Sequence, residues 1–487
     1  MAKIGVIGGG FGGIAAALRM RGKGHEVVLF DRCSRLGGRA QVFSRDGYRF
    51  DAGPTVITAP FLLEELFALF SKRMTDYLDM VPLDPWYRFV FSDGEVFDYG
   101  GTVDDTLARI ARISPQDVAG YKGLLEESRR IFTVGFEQLA DQPFHRLSTM
   151  IGQIPAMIRL GSYRSMYSLV CRHLVDDRLR QAFSIQPLLV GGNPLDTTCI
   201  YGLIHYLERK WGIHFVMGGT GALIDALAAL MREEGIELCL DTTITSIQTS
   251  AGRVHGVITD NDTRVKLDAV IADVDPVQLY RDLIPTREQT LMVRMKRRFA
   301  TSSMGLFVLY FGSSRTYPDV CHHTIVLGPR FAGLLEDIFS RKVLPDDFSL
   351  YLHRPTATDP CFAPAGHDSF YALVPVPNLS ADINWQQQAE PFADRIVSVL
   401  DATVLPGLRE SIRCRFQMTP ADFQTRYLST LGSGFSIAPL LHQSAWLRFH
   451  NRGEGVNNLY LVGAGTHPGA GLPGVLCSAK VVEKLID

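Results

Sequence analysis

Along the first 31 residues, two short apolar runs are separated by a segment whose apolar residues have helical spacing. Lys3–Ile7 is a short, mostly apolar run with the length and composition of a buried parallel strand. The glycine-rich turn Gly8–Gly13 follows, and the apolar spacing in Ile14–Met20 predicts a helix. His25–Phe30 has the composition of a second strand. This order of strand, turn, helix and strand predicts a β-α-β unit in a parallel sheet.

Farther along the chain, the pattern changes repeatedly between helical and alternating segments. Asp84–Tyr99 alternates and turns at Asp93-Gly94, which predicts a β-hairpin. Helices are predicted at Ala59–Phe70, Asp104–Phe132 and Ala222–Glu233, and from about Leu476 onward. Further strands are predicted at Ile236–Leu240, Thr243–Thr249, Arg253–Thr259, Val265–Ala272, Ala300–Phe311, Phe348–Leu352, Phe370–Val374 and Asn458–Gly463.

We expect an α/β fold with two domains, because 487 residues exceed one ordinary domain and the β-α-β rhythm is interrupted. The hairpin begins a mixed-sheet and helical substrate domain, and the α/β pattern returns later in the chain. A Rossmann-like cofactor domain is therefore assembled from separated segments, residues 1–70, 211–290 and 440–487. The substrate domain takes residues 71–142, 175–210 and 291–439, and residues 143–174 form a separate helical segment.

The first turn carries the spacing G-x-G-x-x-G at Gly8, Gly10 and Gly13, which is typical of dinucleotide sites. The first glycine permits a tight turn, the second lets a pyrophosphate approach the backbone, and the third lets helix and strand pack closely. Asp31 ends the second strand, where a carboxylate can accept hydrogen bonds from a ribose 2′-OH. The pair Asp31-Arg32 disfavours NADP, because the acid would repel a 2′-phosphate, and leaves NAD or FAD. A structural turn that binds nothing is the alternative.

Two further glycine-rich segments favour FAD. Gly37-Gly38-Arg39 follows the second strand, and flavoproteins that bind FAD in an extended form use such backbone to line the pyrophosphate and ribityl chain. A surface turn with a solvated arginine is the alternative. After residue 463, a strand passes through a second glycine-rich junction into a helix. The positive N-terminus of that helix suits the N1–C2=O edge of a flavin, which becomes negative on reduction.

Pro143–Leu174 differs from its surroundings because it contains four arginines, no acidic residue and an apolar, aromatic-bearing face. Arginines beside such a face are typical of a helix on an anionic membrane surface. An ordinary substrate-domain helix with a solvated basic face fits the same pattern. Both interpretations stay open on this evidence.

Charge and cysteine content narrow the function classes further. The formal net charge of −2 gives no support for binding to nucleic acid. The eight cysteines show no C-x-x-C spacing, which favours reduced thiols in the cytoplasm, and no metal site is predicted. No uninterrupted apolar run of about 18 residues is present, so we expect no membrane span.

Longer motifs extend along essentially the whole chain. The most specific is NLYLVGAGTHPGAGLPGV at residues 458–475. The others are GGGFGGIAAALR at 8–19, GGRA at 37–40, FDAGPTVIT at 50–58, LLVGGNP at 188–194, WGIHFVMGGTGAL at 211–223, LFVLYFG at 306–312 and FSLYLHRP at 348–355. On these motifs the chain resembles the bacterial phytoene desaturases, a family of carotenoid desaturases.

The resemblance implies a fold like that of the amine-oxidase and GDP-dissociation-inhibitor flavoproteins, with FAD as cofactor. It implies successive hydride transfers from phytoene to the flavin, giving lycopene or a related conjugated carotenoid, with oxygen or a membrane quinone as electron acceptor. It also implies peripheral attachment to the inner face of the cell membrane through residues 143–174. The residues expected to bind FAD are Gly8, Gly10, Gly13, Asp31, Arg32, Gly38, Arg39, Asp51, Gly53, Pro54, Thr55, Ile244, Gly463, Gly465, Thr466, Pro473, Gly474 and Val475.

An apolar tunnel is expected to place each substrate bond over the flavin. Some family members carry an acid and an arginine proposed as catalytic where this chain has Thr149 and Gly152, so no catalytic residue is assigned. His467 and Arg164 are the weak candidates. Four aromatic residues are predicted to line the tunnel, although plain core packing fits each of them as well: Trp86, Phe307, Tyr310 and Phe311.

Two other functions fit the same scaffold. The first is an amine oxidase or another carotenoid-modifying flavoenzyme, which in the amine case would need an aromatic cage beside the flavin. The second is a non-catalytic protein that binds prenyl groups or lipids, as the GDP-dissociation inhibitors do. Intact glycine turns at both ends of the chain favour an enzyme over the second alternative.

Overall fold

Two large sheets organise residues 1–486, the part of the chain that the computed structural model describes. Its strands are β1 Lys3–Ile7, β2 Glu26–Phe30, β3 Val42–Arg45, β4 Tyr48–Asp51, β5 Met80–Pro82, β6 Tyr87–Val90, β7 Val96–Tyr99, β8 His214–Val216, β9 Glu237–Cys239, β10 Ile244–Ser250, β11 Arg253–Thr259, β12 Arg264–Lys266, β13 Ala269–Ala272, β14 Gly305–Ser313, β15 His323–Val326, β16 Leu350–His353, β17 Asp368–Val376, β18 Ile412–Met418 and β19 Leu459–Leu461.

Helices cover both sheets. They are α1 Phe11–Gly22, α2 Phe61–Ala68, α3 Val103–Ile113, α4 Asp117–Phe132, α5 Leu147–Arg159, α6 Met166–Cys171, α7 Asp177–Ala182, α8 Leu203–Trp211, α9 Gly219–Glu233, α10 Pro276–Gln278, α11 Leu291–Phe299, α12 Phe331–Glu336, α13 Trp385–Ala402, α14 Leu408–Ser411, α15 Pro420–Tyr427 and α16 Leu472–Leu485. Across residues 1–486, no helix combines the length and the apolar character needed to cross a bilayer.

The first sheet is parallel and has the strand order β19-β13-β1-β2-β9. Ile7 pairs with Ala272 on one side and with Phe30 on the other, so three strands end at one level. The residues that follow these strands, including Asp31 and Asp273, therefore lie at the same carboxyl edge of the sheet. The strands come from three separated stretches of chain. The exact domain boundaries stay a prediction.

Helix α1 lies on the parallel sheet and is buried along most of its length. Ile14 and Leu18 are fully shielded from solvent, and the helix packs against α16. Arg19 donates hydrogen bonds to Glu65 Oε2 at 2.9 Å and to Glu483 Oε2 at 2.7 Å. The first and the last of the long helices are thus joined by apolar contact and by an ion pair.

The second sheet is mixed and has the strand order β18-β14-β17-β16-β15-β6-β7. Strands β6 and β15 run parallel, and the other neighbours are antiparallel. The predicted hairpin is confirmed as β6 and β7. All nine residues of β14 are buried, since both faces of this strand are covered.

Several predicted elements differ from the structure in their bounds; the strand predicted over Ala300–Phe311, for example, is observed at Gly305–Ser313. The predicted helix over 104–132 is two helices, because Pro115 disfavours a helical conformation at Ser114, whose φ is −152° and ψ is 95°. The predicted strand over 265–272 is divided into β12 and β13. Helix α16 begins at Leu472, earlier than expected, with Pro473 in its first turn, where a proline is well tolerated.

Candidate active site

The first glycine turn forms a bare backbone cradle at the carboxyl edge of the parallel sheet. Gly8 has a φ of 97°, which favours glycine, and its N–H donates to the Phe30 carbonyl at 2.8 Å. A Cβ on Gly13 would overlap the Gly8 carbonyl oxygen. A Cβ on Gly10 would lie 2.7 Å from Asp273 Oδ2. The glycines therefore keep the start of α1 open, as the approach of a pyrophosphate requires.

Asp31 holds the loops around this cradle. Its Oδ2 accepts a hydrogen bond from the Gly9 N–H at 2.6 Å, and its Oδ1 accepts one from the Cys33 N–H at 2.7 Å. Burial raises the pKa of this carboxyl above its ordinary value, while the two backbone donors oppose the shift. The side chain also lies in the wall of the cavity described below, where a ribose hydroxyl could reach it.

Asp273 is a second acid at the same edge, and the sequence analysis missed it. It follows β13, and its Oδ2 accepts a hydrogen bond from the Gly13 N–H at 2.8 Å. Burial raises the pKa of Asp273 to about 6. The available signal was an acid placed directly after an apolar parallel strand. Its partner is 260 residues away in sequence, so pairing with the glycine turn could not be read from local pattern.

Arg39 supplies the positive charge of the cradle. One of its terminal nitrogens, Nη2, donates to Ser429 Oγ at 2.6 Å, whereas Nε is buried and has no hydrogen-bond partner within residues 1–486. Burial lowers the pKa of this guanidinium, and the carboxylates of Asp275 and Asp273 oppose that shift. A buried N–H without a partner beside an open glycine turn fits an anionic pyrophosphate.

The C-terminal glycine junction approaches the same space. Gly465, Pro473, Gly474 and Val475 lie in the cavity wall at the start of α16. Thr466 lies behind them, where its hydroxyl donates to the Gly463 carbonyl at 3.0 Å and is shielded from solvent. The second helix N-terminus is therefore directed at the cavity, as the sequence analysis expected of it.

One continuous cavity of about 1170 Å³ extends from the glycine turns to the second sheet. This volume exceeds the roughly 300–1,000 Å³ of common ligand pockets, as a site for a dinucleotide and a long substrate must. Beyond the glycine turns the lining is mostly aliphatic. It includes Leu306 and Val308 of β14, Ile325 of β15, Leu350 of β16, Leu373 of β17, Leu203, Ile204 and Leu207 of α8, and Met150, Ile154, Met157 and Ile158 of α5.

Most residues expected to bind FAD lie in this wall. They are Gly8, Gly10, Asp31, Arg32, Gly38, Arg39, Gly53, Pro54, Thr55, Ile244, Gly465, Pro473, Gly474 and Val475. Gly13, Asp51, Gly463 and Thr466 lie behind the wall and support it. Asp51, for example, is fully buried and accepts a hydrogen bond from the Thr220 N–H at 3.0 Å, at the start of α9.

The four aromatic residues predicted to line the tunnel lie outside its wall, and this prediction is corrected. Successive residues of a strand face opposite sides, so Phe307 and Phe311 point away from Leu306 and Val308. Their rings pack elsewhere in the core: Phe307 on Phe392 at 4.9 Å, Phe311 on Phe370 at 5.1 Å, Tyr310 on Phe416 at 4.7 Å and Trp86 on Tyr99 at 5.3 Å between centroids. The alternative of core packing describes all four.

The two catalytic candidates occupy different positions. His467 lies in the cavity wall, its Nε2 is 2.9 Å from the Leu139 carbonyl oxygen, and burial lowers its pKa to about 4. This histidine is therefore neutral near pH 7. Arg164 is outside the wall, and its guanidinium lies over the Tyr163 ring at 5.2 Å. The structure does not bring Arg164 to the cavity.

Glu208 is an ionisable group of the cavity wall that the sequence analysis did not select. It belongs to α8, is 1% exposed, and its Oε1 accepts a hydrogen bond from the Tyr87 hydroxyl at 3.0 Å. Its Oε2 is buried without a hydrogen-bond partner in the described chain. Burial raises the pKa of Glu208 to about 7. A carboxyl of this kind in an apolar cavity can exchange a proton near neutral pH.

Comparison with known proteins identifies the class to which this chain belongs. The sequence matches the family described as flavin containing amine oxidoreductase over residues 11–482. It is 42% identical to a lycopene-forming phytoene desaturase of Pantoea ananas, over 99% of this chain and 98% of that protein. It is 43% identical to one of Pseudescherichia vulneris, over 100% and 99%, and 40% identical to a neurosporene-forming phytoene desaturase of Rhodobacter capsulatus, over 99% and 93%.

Solved structures share the fold at much lower identity. An oxidoreductase from Methanosarcina mazei superposes with a TM-score of 0.69 at 17% identity, covering 99% of this chain and 100% of that one. A redesigned putrescine oxidase superposes with a TM-score of 0.66 at 14% identity, covering 99% and 98%. These likenesses concern the fold alone.

The fold and the glycine cradle define a flavin-dependent oxidoreductase whose cofactor is FAD. The chain belongs to the flavin-containing amine oxidoreductase family and, within it, to the phytoene desaturases. The resemblance found in the sequence motifs is thereby confirmed.

Proposed function

We propose that this protein desaturates phytoene and gives lycopene or a related conjugated carotenoid. The main structural support is a single, mostly aliphatic cavity that continues from the FAD cradle to the surface helix α5. Support comes from the full-length similarity to phytoene desaturases, two of them lycopene-forming and one neurosporene-forming. A long hydrocarbon has no polar group to anchor it, so an extended apolar wall is the recognition surface that it requires.

Each desaturation removes a hydride and a proton from adjacent carbons and forms a double bond between them. Bound FAD supplies the two-electron acceptor for the hydride. The aliphatic wall of β14, β17 and α8 orients the chain and keeps water away from the reacting carbons. Conjugation stabilises the cationic carbon that hydride loss creates, so proton removal needs only a weak base.

Glu208 is the residue that we assign to this proton. It lies in the wall of the cavity, its Oε2 is free of hydrogen bonds from residues 1–486, and its pKa of about 7 allows the carboxylate to accept a proton. Tyr87 holds the other oxygen and so fixes the orientation of the carboxylate. Arg164 has no part in this mechanism, because it lies outside the cavity wall.

The decisive experiment incubates the FAD-bound protein with phytoene in liposomes and records the absorbance before separating the pigments. Growth of a structured visible polyene band supports the proposal, and its wavelength counts the new double bonds. A flavin-bound protein that leaves phytoene colourless would contradict it. The same assay without oxygen, with and without an added quinone, distinguishes the two proposed electron acceptors.

We also propose that the protein docks on the cytoplasmic face of the membrane through α5 and α11. Ile151 and Ile158 of α5 are 56% and 63% exposed, and Leu291 and Phe299 of α11 are 66% and 67% exposed. Helix α5 carries Arg159, α11 carries three arginines, and neither helix contains an acidic residue. Both contact the short turn Ala445–Leu447, so they form one surface. Exposed apolar and basic residues on one surface favour an anionic bilayer.

The position of α5 links this surface to the cavity. Ile154 and Ile158 are exposed, yet they also line the cavity, so its mouth opens where lipid would lie. Co-sedimentation with anionic and with neutral liposomes tests the proposal. Ile151→Glu together with Phe299→Glu should abolish sedimentation, whereas Val343→Glu, at an exposed apolar residue elsewhere, should not. Equal sedimentation of both variants would contradict docking through these helices.

A further inference from the structure

Three histidines meet in the core behind the cavity wall. His322 precedes β15, His323 begins it, and His353 ends β16, where it pairs directly with His323. One ring nitrogen from each residue lies within 4.8 Å of those of the other two. Each side chain is at most 5% exposed. Three imidazoles in such proximity are uncommon in a core, because each buried nitrogen requires a partner.

The hydrogen bonds of this cluster leave its inner nitrogens free. His322 Nδ1 lies 2.7 Å from Thr358 Oγ1, and His323 Nδ1 lies 2.6 Å from the Tyr351 hydroxyl. The Nε2 atoms of both rings, and both nitrogens of His353, are buried and have no hydrogen-bond partner in residues 1–486. One nitrogen held by an outer partner and the other free is the arrangement that orients histidine ligands around a metal.

A carboxylate completes the cluster. Asp51 Oδ2 lies 3.8 Å from His353 Nε2, is fully buried and makes no hydrogen bond within the described residues. Its other oxygen is fixed by the Thr220 N–H at 3.0 Å. A buried carboxylate oxygen without a partner is costly, and a cation beside it would remove that cost.

We propose that His322, His323, His353 and Asp51 bind one zinc ion at the seam between the β3–β4 hairpin and the mixed sheet. Three imidazole nitrogens and one carboxylate oxygen are ligands that zinc accepts, and four protein ligands are typical of a structural site. Zinc–nitrogen bonds are about 2.0–2.1 Å long. The ring nitrogens, which lie within 4.8 Å of one another, would therefore move closer together when the ion binds.

The proposed ion would tie parts of the cavity wall together. Asp51 ends β4, while His323 and His353 belong to β15 and β16, which also contribute Ile325 and Leu350 to the wall. Tyr351 connects His323 to Thr55, since its hydroxyl is 2.8 Å from Thr55 Oγ1. Tyr351 and Thr55 both line the cavity. The role is therefore structural, and it does not depend on the proposed desaturase activity.

The test measures metal in the FAD-bound, full-length protein prepared without a polyhistidine tag. After incubation with zinc and gel filtration, we expect about one zinc ion per chain by elemental analysis. His353→Asn and His323→Asn should each lower zinc affinity roughly tenfold or more, whereas His255→Asn, at an exposed histidine of β11, should retain it. Chelation should lower the melting temperature of the wild type and leave that of His353→Asn unchanged.

A second measurement does not depend on whether the variants fold. Cobalt bound to the wild-type protein in a tetrahedral site gives an intense visible absorption band, which added zinc should abolish. Wild-type protein that retains no zinc and gives no such cobalt band would overturn the proposal. Equal zinc retention by the wild type and a folded His353→Asn variant would also overturn it.

Discussion

The Tyr87 hydroxyl donates a hydrogen bond to one oxygen of Glu208 at 3.0 Å and leaves the other oxygen unpaired in the cavity wall, as far as residues 1–486 are concerned. The pair joins strand β6 of the mixed sheet to helix α8. This relationship gives a hydrocarbon cavity one oriented acid whose pKa is about 7. It is the part of the site on which pH should act most directly.

Replacement of Glu208 by Gln should lower kcat by roughly 10²–10⁴-fold, because the proton acceptor is lost while shape is kept. The wild-type rate should rise with pH through about 7 as the carboxylate forms, and the residual rate of the variant should not. Tyr87→Phe should move the midpoint to higher pH, since the tyrosine hydrogen bond lowers the pKa of Glu208. An unchanged rate in Glu208→Gln would contradict this assignment.

The stability of the protein should depend on pH through the same residue. The pKa of Glu208 is about 7 when folded, against an ordinary value of 4.5, so the folded state binds more protons between these values. Its contribution is therefore present below pH 4.5, is lost as the pH rises toward 7, and stays constant above that. Relative to Glu208→Gln, the free energy of unfolding of the wild type, measured in urea, should fall by up to about 3 kcal/mol as the pH rises over this window. Parallel curves for the two proteins would contradict it.

Gly10→Ala should abolish FAD binding, because the added Cβ would lie 2.7 Å from Asp273 Oδ2 and fill the cradle. Gly22→Ala is the matched control, since its Cβ would meet no atom closer than 3.5 Å at the other end of the same helix. Flavin content after purification distinguishes the two variants. FAD bound equally by both would show that the cradle is not the site.

Arg39→Met should weaken FAD binding by roughly 10–100-fold, because a hydrogen bond to a charged partner contributes about 1.5–3 kcal/mol. Arg35→Met, at an exposed arginine of the same loop, should have little effect. Quenching of flavin fluorescence during titration of the apoprotein gives both affinities. Similar affinities would mean that Arg39 does not face the pyrophosphate.

Substitutions on the two faces of β14 should have different effects, one on the product mixture and the other on stability. Val308→Phe reduces the space in the cavity, so the product mixture should shift toward carotenoids with fewer new double bonds. Phe307→Ala should instead lower the free energy of unfolding by about 3–5 kcal/mol, because its ring is buried against Phe392, and should leave the product mixture unchanged. Pigment separation and urea unfolding check the two variants. A changed product mixture in Phe307→Ala would contradict the placement of this residue outside the cavity wall.

Local sequence pattern predicted the cofactor half of the site because its signal is local. Gly8, Gly13 and Asp31 act within one β-α-β unit, and their spacing reflects a turn that few other residues permit. The tunnel residues were harder to predict. All residues of β14 are buried, so the strand has no polar alternation to show which side faces the cavity. Asp273 and the histidine cluster depend on contacts between distant segments, which spacing along the chain does not encode.

The pairing of α1 with α16 also determines when this protein can fold during its synthesis. Arg19 and Glu483 are separated by 464 residues, and the ribosome adds about 5–20 residues per second. Roughly 20–90 s therefore pass between the synthesis of α1 and the synthesis of α16, the helix that covers its apolar face. Over that interval the chain exposes apolar surface that later holds its cofactor domain together, and such exposed surface favours aggregation.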